Sequence, residues 1–275
     1  MRRIDKVVNG HTYVLETFES FNEIIDVCNK RDVKPIVEDV TRNMTRDTRF
    51  MGASSYEEAV ELLKYGTNEN VELAKKTVKN LEKQGTAMKI SFKNDIVGYA
   101  PIVPNAIIGI PQNMINNVRV PKKSKVITLV IDMAVCGNVS KESVKEYGMS
   151  VVQKVIQLEK SGYRVRLEYM KCFNNYDSSH VACSTVIKNE NQPLDLKRIM
   201  FPLANVAMQR YISWDWYDRV PNAKWESCRG RSLSVLNKRE RDMIVKELVA
   251  DCNNKYVICY GDNLDEILGG KKWIS

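Results

Sequence analysis

Asp132 closes the apolar run Lys125-Val-Ile-Thr-Leu-Val-Ile-Asp132, and further carboxylates follow at Asp177, Asp262 and Asp265. In an open α/β sheet, ligands bind beyond the carboxyl ends of the strands, so these residues, with Asn138, Ser178 and Ser179, are where chemistry would sit. Asp132, Asp262 and Asp265, drawn from separate loops, have the residue types of a two-metal hydrolytic site. A simpler role accounts for the last two. Asp262 or Asn263 starts a short helix, and Asp265 and Glu266 complement its dipole. Asp177-Ser-Ser-His180 sets hydroxyls beside one of only two histidines, the other being His11. Neighbours in one loop seldom converge as nucleophile and base, so no catalytic residue is assigned there.

A second constellation could bind instead of react. Trp214-Asp-Trp216-Tyr217 is followed by Trp225, Arg229, Arg231, Lys238, Arg239 and Arg241. Interleaved aromatic and basic side chains stack bases and hold phosphates, or anchor a protein interface. We take Trp214, Trp216, Tyr217, Trp225, Arg229, Arg231 and Arg239 as an interaction surface. A protein partner, either a second copy or another chain, is the leading expectation, with nucleic acid as the alternative.

Several devices are missing. The chain has no Gly-x-x-x-x-Gly-Lys-Ser/Thr loop, no Gly-x-Gly-x-x-Gly after its first apolar strand and no Gly-x-Ser-x-Gly. Seven scattered cysteines (28, 136, 172, 183, 228, 252 and 259) without a Cys-x-x-Cys pair argue against a disulfide framework or a zinc site. We expect no cofactor and no metal. The 275 residues, 44% hydrophobic and 28% charged, suffice for one large domain or two small ones without such aids. The start, Met-Arg-Arg-Ile-Asp-Lys, lacks the apolar run of a secretory signal, and no stretch is long and apolar enough to span a bilayer, so a cytoplasmic, non-membrane protein is expected. The net charge of +8 is uneven: residues 1–120 carry 17 Lys/Arg against 16 Asp/Glu, and residues 121–275 carry 25 against 18. That surplus favours acidic partners but makes no dense basic stripe.

The elements that would position these residues are legible in part. A strand is predicted at Thr12–Glu16 and a helix from Ser20 to Cys28. Ser55-Tyr-Glu-Glu58 is a capping box opening a helix over Tyr56–Tyr65. A second helix, carrying Leu73, Ala74, Val78 and Leu81, runs to Gly85 and completes a helical hairpin. Between Thr86 and Val120, Gly98, Pro101, Pro104, Gly109 and Pro111 leave only loop and short strand. After Pro121, Lys125–Asp132 reads as a buried strand, Ser140 caps a helix to Ser161-Gly162, and Tyr163–Met170 is a second strand parallel to the first. Val181–Ile187, a helix from Leu194 to Tyr211, a helix over Lys238–Ala250 and a strand over Tyr256–Gly261 complete the alternation. The expected architecture is a doubly wound, mainly parallel α/β sheet over residues 121–275, preceded by a helical and irregular region over residues 1–120.

The order of Asp132, its strand and the following helix resembles the von Willebrand A domain. That family binds a divalent ion through Asp-x-Ser-x-Ser at the end of its first strand, aided by later loops. Here the segment is Asp132-Met-Ala134-Val-Cys136, with Asn138 beyond and Asp262 in a later loop. Ala134 and Cys136 stand where the resemblance implies hydroxyls, and neither offers the side-chain oxygen a hard cation requires. The resemblance therefore implies the scaffold without its metal. Ala53-Ser-Ser-Tyr-Glu-Glu-Ala-Val-Glu-Leu-Leu63, Ser140 to Gly148, Gln157 to Val165 and Phe201-Pro-Leu-Ala-Asn-Val-Ala-Met208 are similar to a family of phage and prophage proteins. This implies a mobile-element context in a bacterial host cell and leaves open a role as an inhibitor of host defence.

Overall fold

Asn9 and Gly10 both adopt positive φ (52° and 79°), the geometry of a two-residue hairpin turn, and they join β1 (Arg2–Val8) to β2 (His11–Phe18) in antiparallel register. The computed structural model describes residues 1–31, 51–69, 71–82, 88–121, 126–135, 139–175, 178–221, 231–249 and 255–269. α1 (Phe21–Lys30) follows, capped by the Ser20 hydroxyl, which accepts from the Glu23 amide. α2 (Tyr56–Tyr65) begins at the predicted Ser55 cap; the Glu58 carboxylate, however, accepts from the Ser54 amide and hydroxyl. α2 and α3 (Val71–Glu82) both pack on α6 (Leu196–Ala204).

β6 (Val126–Asp132), α5 (Lys141–Lys160) and β7 (Arg164–Asn174) form the predicted strand, helix, strand unit with parallel strands, and Ser140 caps the helix through the Ser143 amide. β8 (Ser179–Lys188) departs from a parallel layout. Only residues 175–178 separate it from β7, too few for a crossover, so it returns antiparallel. β9 (Lys255–Cys259) adds to β6 in parallel. The six strands lie in the order β1-β2-β8-β7-β6-β9, with β2 parallel to β8, so the sheet is mixed. The expected division near residue 120 does not coincide with a division of this sheet, since β1 and β2 form its far edge.

Both faces are covered. Leu129, Ile131, Leu167, Tyr169 and Phe173 meet α1, α2, α5, α6, the π-helical turn Met208–Ser213 and α7 (Trp214–Arg219). Tyr13, Val130, Met170, Cys172 and Ala182 meet Leu233 and the residues Ile244 and Leu248 of α8 (Lys238–Val249). Each such aliphatic side chain contributes about 1.5–3 kcal/mol when fully buried. The helix predicted to run from Leu194 to Tyr211 breaks at Asn205, whose side-chain oxygen takes the Ala207 amide and so displaces the helical bond. α9 (Leu264–Gly269) ends the described chain. No helix among the described residues is long and apolar enough to cross a membrane.

α5 and α6 approach closely at Gly148. A Cβ there would lie 2.3 Å from the Leu203 carbonyl oxygen, a backbone atom that cannot rotate away. Gly148→Ala should therefore destabilise by about 1–3 kcal/mol, although alanine is the better helix former. Urea unfolding checks this; an unchanged or higher midpoint would contradict the contact.

Candidate functional site

Asp132 is fully buried. Its Oδ1 accepts from the Ala134 and Cys172 amides, each at 3.2 Å, and its Oδ2 has no hydrogen-bond partner among the described residues. Burial raises its carboxyl to about 7, against the pull of Lys171, and burial lowers Lys171 to about 8. Ala134 is itself buried, while Cys136 and Asn138 lie outside the described residues. The other carboxylates are engaged separately. Asp262 accepts from the Cys259 amide (2.8 Å) and from Arg241 (2.8 Å), and Asp265 pairs with Lys154 (2.5 Å). Asn263, not Asp262, caps the last helix through the Asp265 and Glu266 amides. No group of three or more His, Cys, Asp or Glu among the described residues is placed to hold a metal.

A carboxyl whose folded value is raised favours the protonated protein. Its contribution is fully present below the ordinary aspartate value of 3.8 and is lost as pH rises through about 7. Asp132→Asn, neutral throughout, should flatten the fall in stability between about pH 4 and about pH 7. Denaturant midpoints across that window test it, and slopes identical to the wild type would contradict the assignment.

The two histidines meet, which their 169-residue separation in sequence conceals. His11 Nδ1 lies 3.0 Å from His180 Nε2, and His180 Nδ1 lies 3.0 Å from Asn174 Oδ1. Cys172 donates its thiol to the same Asn174 oxygen (3.4 Å) and its amide to Asp132, so a buried polar line runs from Asp132 to His11. Both His180 nitrogens are thereby directed at Asn174 and His11, and Ser179 takes a hydrogen bond from Asn175. Asp177 lies outside the described residues. Burial pushes the Cys172, Cys183 and Cys259 thiols up, which disfavours the nucleophilic thiolate.

Two members of the aromatic and basic constellation, Trp216 and Tyr217, are a correction to the expectation of a binding surface. Trp216 and Tyr217 are fully buried, packed on Phe173 with ring centroids 6.2 and 4.2 Å away. The Trp216 indole donates to Glu16 Oε2 at 2.7 Å. Trp214 is half-buried beneath Arg210, and Arg231 exchanges backbone hydrogen bonds with Asn174. Arg239 is exposed on α8, whereas Trp225 and Arg229 lie outside the described residues. Burial wins at Trp216 and Tyr217 because α7 turns both onto β7.

An exposed apolar surface does exist, elsewhere. β3 (Met88–Asp95), β4 (Ala100–Pro101) and β5 (Met114–Pro121) form a separate three-stranded sheet in the order β3-β5-β4, with α4 (Val103–Ile107) at its tip. Eight-residue strands make this an arm of about 26 Å. From Ile90 to Val118 no residue is buried. Ile90, Phe92, Ile96, Val97, Tyr99, Val103, Ile107, Ile108 and Ile110 are all exposed, Ile107 by 79%. Residues 96–118 contain no charged side chain. The Gly and Pro residues that read as loop occupy this tip; the apolar alternation at Ile90 and Phe92 was the signal for the strand beneath it.

The model of one protein family, described as a domain of unknown function (DUF7192), matches residues 4–266. No curated protein and no solved structure matches the chain.

Proposed function

The chain belongs to the DUF7192 family, and from that premise we propose a non-enzymatic protein that acts through protein contacts made by the arm of residues 88–121. The observation that carries this reading is the uncovered apolar surface from Ile90 to Ile110. Contiguous apolar patches of more than a few hundred Å² are rare on monomers and mark interaction sites. An uncharged tip suits an apolar protein surface and offers nothing to phosphates. The basic surplus elsewhere is partly spent within the fold, as in Arg241 with Asp262, Arg219 with Asp215 and Arg166 with Glu168.

The scaffold in this proposal is von Willebrand A-like and works without the metal. Its support is the run from β6 through Asp132 to α5, helices on both faces, and buried Ala134 where a hydroxyl would be needed. Asp132 turns its bonded oxygen inward to backbone amides, a role in holding the strand end. The resemblance of the segments quoted above supports a phage or prophage setting for this proposal, in the cytoplasm of a bacterial host.

Size-exclusion chromatography with light scattering, recording absorbance at 260 and 280 nm at low and high salt, tests the reading. It predicts a species heavier than the 31.6 kDa chain, formed by the chain alone or with a captured protein, free of nucleic acid and indifferent to salt, and a strict monomer that binds no protein contradicts it. Co-eluting nucleic acid released by salt would instead favour a nucleic-acid-binding role.

A further inference from the structure

One face of the six-stranded sheet meets Leu233, Ile244 and Leu248, and it is apolar over only part of its extent. Residues two apart on a strand share a face. On that face Leu15 gives way to Thr17 on β2, Ala182 to Ser184 on β8 and Met170 to Glu168 on β7, and the edge strands contribute Arg2 and Lys255. A polar sheet face that is merely solvated stays exposed. Ser184, by contrast, is 5% exposed and Glu168 7%, and both line a cleft of about 380 Å³, within the range of small-molecule sites.

Glu168 organises this cleft. Its carboxylate accepts from Arg166 Nε (2.9 Å) and the Ser184 hydroxyl (3.2 Å) and pairs with Lys255 Nζ (3.0 Å). Burial opposes its charge, yet Lys255 and Arg166 hold the carboxyl below its usual value. Arg166 is fully occupied, since its remaining nitrogens reach Asn189 (3.0 Å) and Glu19 (3.7 Å). Lys255 is not: an ammonium carries three N–H donors, and Glu168 takes one. Arg2, which lines the same cleft, has no carboxylate partner among the described residues. The lining therefore holds three cationic side chains against two carboxylates, Glu168 and Glu19, and the positive charge left over lies on Arg2 and Lys255.

We propose that this cleft binds a small organic anion, with Arg2 and Lys255 meeting its phosphate or carboxylate oxygens and Val186 lying against its carbon skeleton. A buried carboxylate with three donors is a poor device for stability alone. Here it holds the Lys255 ammonium at the cleft, so that less side-chain freedom is lost when a ligand binds. The site lies on the six-stranded sheet and not on the arm, so its failure would leave the protein-contact reading untouched.

Titration of the full chain with phenyl phosphate, benzoate and neutral benzamide, followed by amide NMR spectroscopy, tests the site. Both anions should bind saturably and move the amides of residues 166–168, 184–186 and 255, and benzamide should not. Either order of affinity between the anions supports the site and identifies its head group. Arg2→Ala and, separately, Lys255→Gln should weaken anion binding about 10-fold or more, the loss of a charge-assisted contact. Arg239→Ala, on the exposed side of α8, should leave it unchanged. Arg2 is exposed, so its variant should melt as the wild type does, and it keeps the test decisive if Lys255→Gln, which strips a partner from Glu168, lowers the melting temperature. No saturable binding of either anion, benzamide binding as tightly as the anions, shifts scattered over the surface, or an affinity unchanged by Arg2→Ala and Lys255→Gln overturns the proposal.

Discussion

Trp216→Ala should lower the unfolding free energy by about 3–5 kcal/mol, a loss large enough to unfold much of the protein at moderate temperature. The indole is fully buried against Phe173, and its N–H bonds the Glu16 carboxylate at 2.7 Å. Truncation therefore leaves a cavity and also strips a donor from a buried anion. Trp216→Phe separates the two effects. It keeps most of the volume and loses the charge-assisted hydrogen bond, at a cost of about 1.5–3 kcal/mol. Denaturant unfolding measures both. If Trp216 belonged to a binding surface, both variants would unfold with wild-type midpoints.

Glu16→Gln should cost a similar amount, about 3–5 kcal/mol, for an electrostatic reason. Glu16 is fully buried on β2 and accepts from Arg3 (3.0 Å), Arg31 (2.5 Å) and Trp216. An amide at this position supplies one acceptor oxygen and presents an NH₂ group to donors, so two guanidinium groups lose the charge that holds them. Those contacts tie β1, β2 and α1 to α7, which lies almost 200 residues further along the chain. Because Trp216 and Glu16 touch, the double variant Trp216→Phe with Glu16→Gln should cost less than the two single costs combined. Additive costs would show that the hydrogen bond contributes nothing to the coupling.

Local signals carried the legible part of this fold. Ser55, Ser140 and Asp195 each accept from amides in the first turn of the helix they open, an interaction contained within a few residues. β6 was readable because burial on both faces imposes an unbroken apolar run. Strand direction was not, since residues 175–178 look like any short polar connection until their number is weighed against the length of a crossover. Of the strands joined by the hairpin at Asn9-Gly10, β2 was legible at Thr12–Glu16, whereas β1 mixes charges with apolar residues and was not.

Within the site, Asp132 was found from its place at a strand end, while its immersion and its tie to Cys172 arise from pairing between β6 and β7. The His11 and His180 contact depends on β2 lying beside β8, which no local pattern encodes. Composition misassigned Trp216 and Tyr217 for a related reason. Trp, Tyr and Arg serve both cores and interfaces, and only the packing of α7 on β7 distinguishes them. The arm was legible as loop and short strand, but its sequence did not show that those strands leave apolar side chains exposed.

The central claim is that residues 88–121 are where this protein meets its partner, and amide hydrogen exchange in the assembled and the fully dissociated states tests it most directly. The account predicts protection on assembly confined to residues 90–118, with the body around β6, β7 and α7 unchanged. Exchange in the arm that is the same in both states, or protection falling on the body, would contradict it.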